Sequence, residues 1–185
     1  MGRVYGRAGG SASVGGSFES FSGAGKVGAR GERRTGEVLN ALASRPDGPT
    51  VFHDLVIPGV PGPNVDHAVV AGKKVLLLDS KFYAPGFYWT FGGVTRRKFE
   101  AVPFADKATL PMAFDRFAPL LGRAKMLRPV MVVWPSRADE KMSLSLFRPQ
   151  GARALAGERL ESFISRRMFS PASSEVVALL QEFVR

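Results

Sequence analysis

The stretch NVDHAVVAGKKVLLLDSKFY, residues 64–83, carries Asp66, Asp79 and Lys81. Carboxylates are hard oxygen donors that suit Mg²⁺ or Mn²⁺, and such an ion keeps several waters, one of which can attack phosphorus. The ion also offsets charge building on phosphate oxygens, while an ammonium alongside can orient or deprotonate the water and face the scissile phosphate. Joined by Glu32, these residues make a kit for hydrolysing a phosphodiester without a covalent intermediate.

The elements that must position them follow from the pattern. VDHAVV and KVLLLDSK are rich in apolar and β-branched residues and meet at Gly72-Lys73, which suits a two-residue turn with glycine first. With that turn, Ala71 faces Lys74 and Asp66 faces Asp79. Opposed side chains lie roughly 4.5–5.5 Å apart at Cβ, and like charges there are destabilising unless a cation sits between them. Asp79 and Lys81 are two apart and share a strand face.

Residues 29–44, ARGERRTGEVLNALAS, place Val38, Leu39 and Leu42 on one helical stripe, and PDGP at 46–49 ends the helix. Glu32 projects within about 20° of Leu39, whereas Glu37 points about 160° away from it. Glu32 therefore faces the sheet. A plain helix N-terminal acid is its alternative role.

TVFHDLVI reads as a strand, PGVPGP as a loop, and residues 83–102 as short aromatic strands and turns. Leu110, Ala113, Phe114, Phe117 and Leu121 recur at helical spacing behind Thr109, a candidate N-cap. RPVMVVWP is a buried strand and MSLSLF a half-buried one, and helical patterns occupy 152–167 and 174–184. Strands and helices around one central sheet make the class α/β. Residues 1–28, rich in Gly, Ser and Ala, read as a flexible tail, and 29–185 as one domain.

The net charge of +10 and pI near 10.5 call for an anionic partner, a nucleic acid or an acidic membrane surface. The chain has no cysteine, which excludes disulfides, thiolate zinc and a cysteine nucleophile and fits a reducing, cytoplasmic setting. No apolar run approaches the roughly 20 residues of a membrane span, and the N-terminus lacks the apolar region of a signal peptide.

Four segments in order, GERRT at 31–35, HDLVIPG at 53–59, NVDHAVV at 64–70 and VLLLDSKFY at 75–83, resemble the nuclease-related domain, NERD, a branch of the PD-(D/E)xK nuclease superfamily. The resemblance spans roughly residues 30–135. It implies a restriction-endonuclease-like fold, a central mixed sheet flanked by helices, and a Mg²⁺- or Mn²⁺-dependent endonuclease acting on DNA. Glu32 matches the helix glutamate, Asp66 the first strand acid, and Asp79 with Lys81 the (D/E)xK pair; Val65, not proline, precedes the first acid.

Further residues are weighed around this set. In the same register Asn64 falls opposite Lys81 and is expected to hold it. His67 points to the other face, a packing or hydrogen-bonding group before a ligand, and His53 is open between the two. The aromatics of 82–91, followed by Arg96, Arg97 and Lys98, offer a DNA-facing surface with rings stacking on bases. Core or sheet-face packing is nonetheless the expectation for the rings, which leaves Tyr83, Arg96, Arg97 and Lys98 as candidate DNA contacts. Two other readings are a catalytically inactive nucleic-acid-binding module of the same fold and a membrane-surface adaptor using the positive charge.

Overall fold

The computed structural model describes residues 1–9, 23–102, 105, 108–137 and 140–185. In chain order its elements are β1 (Val4–Tyr5), α1 (Gly23–Ala43), β2 (Thr50–Val56), β3 (Asn64–Ala71), β4 (Lys74–Tyr83), β5 (Gly86–Phe91), β6 (Val94–Arg97), β7 (Glu100–Ala101), α2 (Thr109–Leu120), β8 (Lys125–Met126), β9 (Val130–Pro135), β10 (Met142–Leu146), β11 (Arg153–Ala156), a 3₁₀ turn (Gly157–Arg159), α3 (Leu160–Arg167) and α4 (Ser174–Gln181).

The main sheet runs β1-β2-β3-β4-β9-β11, with β8 paired to β4, and a second sheet runs β10-β5-β6-β7. The β2–β3–β4 meander is antiparallel, and β9 joins β4 in parallel. These central strands read as near-continuous apolar runs because both faces of the sheet are covered. On one face Leu76 and Leu78 pack with Leu39 and Leu42 of α1 and with Leu160 and Ile164 of α3. On the other, Val75 and Leu77 pack with Leu110 and Phe117 of α2 and Leu180 of α4. The two-residue period then sends Ser80 toward the α1 side and Asp79 and Lys81 toward the α2 side.

The hairpin takes the expected turn: Ala71 faces Lys74, and the pairing continues unbroken to His67↔Leu78. There it stops, one pair short of Asp66 and Asp79. Beyond that point β3 stays with β2 as far as Asn64, and β4 stays with β9 as far as Tyr83. The two strands of the hairpin thus part where the acids lie.

Three other expectations need correction. Val4–Tyr5 is not loose tail: it adds a strand to β2 in parallel, and the Tyr5 ring stacks on Phe52 with centroids 5.0 Å apart. The first helix begins by Gly23, and residues 10–22 of the expected tail lie outside the described residues. Residues 153–156 form a strand parallel to β9 rather than the start of a helix, because β9 is apolar on both sides and takes a second neighbour. Thr109 opens α2 but does not cap it; Ala108 holds the cap position without a side-chain bond.

Candidate active site

Lys81 and Asp79 meet in a direct ion pair between Nζ and Oδ2. Burial opposes the Lys81 charge, but Asp79 and Asp66, with the bond to Asp79, outweigh it and hold the ammonium above its ordinary range. Lys81 is therefore held as a cation here.

Asp66 completes the junction in place of the missing ladder pair: its Oδ2 accepts the Ser80 backbone N–H at 2.6 Å. That bond ties β3 to β4 just where backbone pairing has ended. Burial, then the charges of Asp79 and Glu32, push the Asp66 carboxyl well above its usual value, against the opposing pull of Lys81 and the Ser80 amide.

Glu32 reaches this neighbourhood from α1, whose packing stripe lies on the opposite face of the sheet. The helix approaches β4 closely: a Cβ on Gly31 would lie 3.3 Å from the Lys81 carbonyl carbon, so the smallest residue sets the contact. Burial raises the Glu32 carboxyl, Lys81 lowers it, and Asp79 and Asp54 raise it further. Glu37 stays exposed, as the helical wheel requires.

Asp54 was not singled out from the sequence. It lies in β2 between His53 and Leu55, which pair with His67 and Val65, so the register puts it across from Asp66. Its backbone is left-handed, with φ 56°, and its Oδ1 accepts the Asn64 amide at 2.6 Å. The Asn64 expectation is thereby corrected: Asn64 holds Asp54, not Lys81, because β3 has left β4 before reaching that position.

A cavity of about 20 Å³ opens beside the ion pair, bounded by Asp79, Lys81, Thr109, Met131 and Gln150. That is room for one water or one ion. No sequence signal pointed to Gln150; it arrives from the turn after β10.

The other face of the junction carries a buried polar relay. His53 and His67 are opposed in register, their Nδ1 atoms 2.7 Å apart. His53 Nε2 meets Asn40 Oδ1 at 2.8 Å, and His67 Nε2 meets Ser80 Oγ at 3.1 Å. Ser80 Oγ bonds to Thr35 Oγ1 at 2.8 Å, which also accepts the Trp134 indole N–H at 2.8 Å. Burial lowers His53 to about 4, and burial together with His53 lowers His67 well below the ordinary imidazole value. Both histidines are neutral structural groups, in agreement with the packing role preferred for His67.

Of the outer candidates, Tyr83 stacks on Tyr88 with centroids 5.7 Å apart and lines a cavity of about 250 Å³ with Arg97 and Glu100. Arg96 lies over the Trp89 ring, 5.4 Å from its centroid, and Lys98 is exposed.

Four carboxylates and one lysine thus share one electrostatic neighbourhood. Among the described residues no three acids or histidines stand close enough to cage a metal as they lie. The donor set still fits a hard divalent cation: oxygens only, with more negative charge than one ammonium offsets.

Among the described residues no helix is long and apolar enough to cross a membrane. No curated protein and no solved structure matches the chain. The mixed sheet with helices on both faces fits a restriction-endonuclease-like fold. Residues 27–110, which hold Glu32, Asp54, Asp66, Asp79 and Lys81, match the family model of the nuclease-related domain, NERD.

Proposed function

We propose that the chain is a metal-dependent endonuclease that hydrolyses DNA phosphodiester bonds at Glu32, Asp66, Asp79 and Lys81, in the cytoplasm. The observation that carries this reading is the gathering of acids around one buried ammonium: Asp79 pairs with Lys81 directly, and the carboxyls of Glu32 and Asp66, both raised by burial, feel the Lys81 charge. A fold gains nothing from crowding three acids beside a parted strand pair, whereas a site for a cation and a phosphate does.

Glu32, Asp66 and Asp79 would hold Mg²⁺ or Mn²⁺, which supplies a Lewis acid for the phosphate and an acidified water. Lys81, charged and held by Asp79, faces the phosphate oxygens and stabilises the charge that grows there. Asp66 keeps Oδ2 on the Ser80 amide, leaving its other oxygen as the atom free to hold a proton or a ligand. Gln150 and Thr109 border the cavity and are placed to orient a water within it.

One observation favours the alternative, a catalytically inactive nucleic-acid-binding module: Lys81 and Asp79 already satisfy each other. Supercoiled plasmid incubated with Mg²⁺, Mn²⁺ or EDTA, beside Asp79→Ala, separates the two. Cleavage that needs both the metal and Asp79 supports the enzyme. DNA binding without cleavage under any metal supports the inactive module.

A further inference from the structure

One face of the small sheet carries exposed apolar side chains. Directly paired residues share a face, so Trp89↔Arg96, Phe91↔Val94 and Leu146↔Trp89 place Phe87, Trp89, Phe91, Val94, Arg96 and Leu146 together. Tyr88 and Thr95 point the other way and are buried. On the outer face Phe91 is 76% exposed, Leu146 53%, Phe87 42% and Val94 39%. Of the expected core or sheet-face packing, Tyr88 is core, whereas Phe87 and Phe91 lie on an exposed sheet face, because alternation along β5 splits the run between two faces. A contiguous apolar face of this kind marks a binding surface.

Charge selects the occupant. Arg96, Lys98, Lys141 and Arg148 lie in or beside these strands, while Arg97, paired with Tyr88, belongs to the other face; the acids nearest in sequence are Glu100 and Glu140. Two copies of so positive a rim repel each other, which disfavours self-association through this face. Phe87, Trp89 and Phe91 stand about 7 Å apart along β5, close to the spacing of successive nucleotides in an extended single strand. The Arg96 guanidinium over Trp89 and the Trp89 indole N–H donated to the Lys98 carbonyl at 2.6 Å hold that ring in place. Flat rings in a basic surround are what unpaired bases stack on.

We infer that the outer face of β5 and β6 is a stacking platform for single-stranded nucleic acid, on which the rings of Phe87, Trp89 and Phe91 take unpaired bases and Arg96 and Lys98 meet the backbone. The inference takes nucleic acid as the substrate class from the reading above and adds that the strand engaged here is unpaired.

The test is equilibrium binding of the full chain to fluorescein-labelled oligo(dT) and to a duplex of equal length, in EDTA so that nothing is cut. Phe87→Ala/Phe91→Ala is expected to bind oligo(dT) roughly tenfold or more weakly, with duplex binding little changed. Its salt slope stays that of the parent, while Arg96→Gln lowers the slope by about one. Phe87→Leu/Phe91→Leu keeps apolar bulk without the flat ring and is expected not to restore binding. Circular dichroism and melting of all variants should match the parent, since the changed rings are exposed. Trp89 fluorescence is expected to quench on adding oligo(dT), whereas Trp134, 5% exposed, reports little.

Unchanged oligo(dT) binding by the alanine pair overturns the platform, as does equal weakening toward duplex or full rescue by leucine. So does a concentration-dependent mass, or flotation with anionic liposomes, that the alanine pair abolishes; these assign the face to a second copy or to a membrane. Ring-dependent binding with no plasmid cleavage under any metal leaves the platform standing and removes the nuclease. Asp79-dependent cleavage with ring-independent binding does the reverse.

Discussion

His53 and His67 face each other across β2 and β3 with their Nδ1 atoms 2.7 Å apart, buried, and both neutral. A neutral imidazole has one N–H and one bare nitrogen, so this contact requires one ring to donate and the other to accept. The two tautomers are therefore linked, and through Ser80 the linkage reaches the residue between Asp79 and Lys81. The Asp79–Lys81 face and the relay face of β4 are positioned by one short stretch of backbone.

Removing one ring should unsettle the whole relay. His53→Leu keeps an apolar body of similar reach but strands the buried His67 Nδ1, whereas Asn40, which is exposed, can exchange its bond to His53 for one to water. Leaving buried polar groups unpaired costs about 1–3 kcal/mol each. Urea unfolding of the variant should show a loss of about 1–3 kcal/mol with an unchanged m-value; a loss well under 1 kcal/mol would mean that the relay contributes little.

The same ring sets an acid limit. His53 is held at about 4 in the fold, against 6.5 for the free side chain. Between those values the unfolded chain binds a proton that the native state refuses, so stability rises with pH through this window and is lost as pH falls from about 6.5 toward about 4. The full loss is about 3 kcal/mol at 1.36 kcal/mol per pH unit. Unfolding free energies across that range should show the slope in the parent and a shallower one in His53→Leu.

Thr35 joins helix to sheet from the far end of the relay. Its hydroxyl oxygen takes the Trp134 indole N–H and bonds to Ser80 Oγ. Thr35→Val preserves shape and deletes both bonds, at an expected cost of about 1–3 kcal/mol. Trp134→Phe removes one partner of the same pair, so the double variant should lose less than the sum of the single losses, by about 1 kcal/mol. Strict additivity in thermal or urea unfolding would show that the two are not coupled.

The register of the hairpin was legible because a Gly-Lys turn and a strict two-residue period leave little choice, and the inward turn of Glu32 against the exposed Glu37 was legible because a helical wheel needs no tertiary information. The parting of β3 and β4 was not legible: it depends on β2 and β9 each claiming one strand, which is long-range pairing. Asn64 was misjudged for that reason, and Asp54 was passed over because only the β2–β3 register brings it across from Asp66. Gln150 comes from a distant turn with no local pattern to announce it. The strand at 153–156 read as helix because its few residues pass straight into the 3₁₀ turn and α3. The exposed aromatic face was hidden by composition, since rings along a strand look alike until the sheet shows which side is covered.

Asp66 offers the sharpest opposition between stability and use. Burial and the charges of Asp79 and Glu32 raise its carboxyl well above the unfolded value, so at neutral pH the ionised site weakens the fold. Asp66→Asn keeps an oxygen for the Ser80 amide but carries no charge, and should raise unfolding free energy at neutral pH by about 1 kcal/mol. The gain should shrink as pH falls, because the parent carboxyl then takes up its proton and the two side chains become alike. Saturating Mn²⁺ should reverse the order: a ligand bound only by the native state at a hundred times its Kd adds about 2.7 kcal/mol to the parent, and much less to a variant lacking one donor. Melting curves of both proteins with EDTA and with Mn²⁺, beside plasmid cleavage, measure this directly. A parent whose melting is indifferent to Mn²⁺, or an Asp66→Asn protein that is less stable in EDTA, would show that the acids gather for some reason other than a cation.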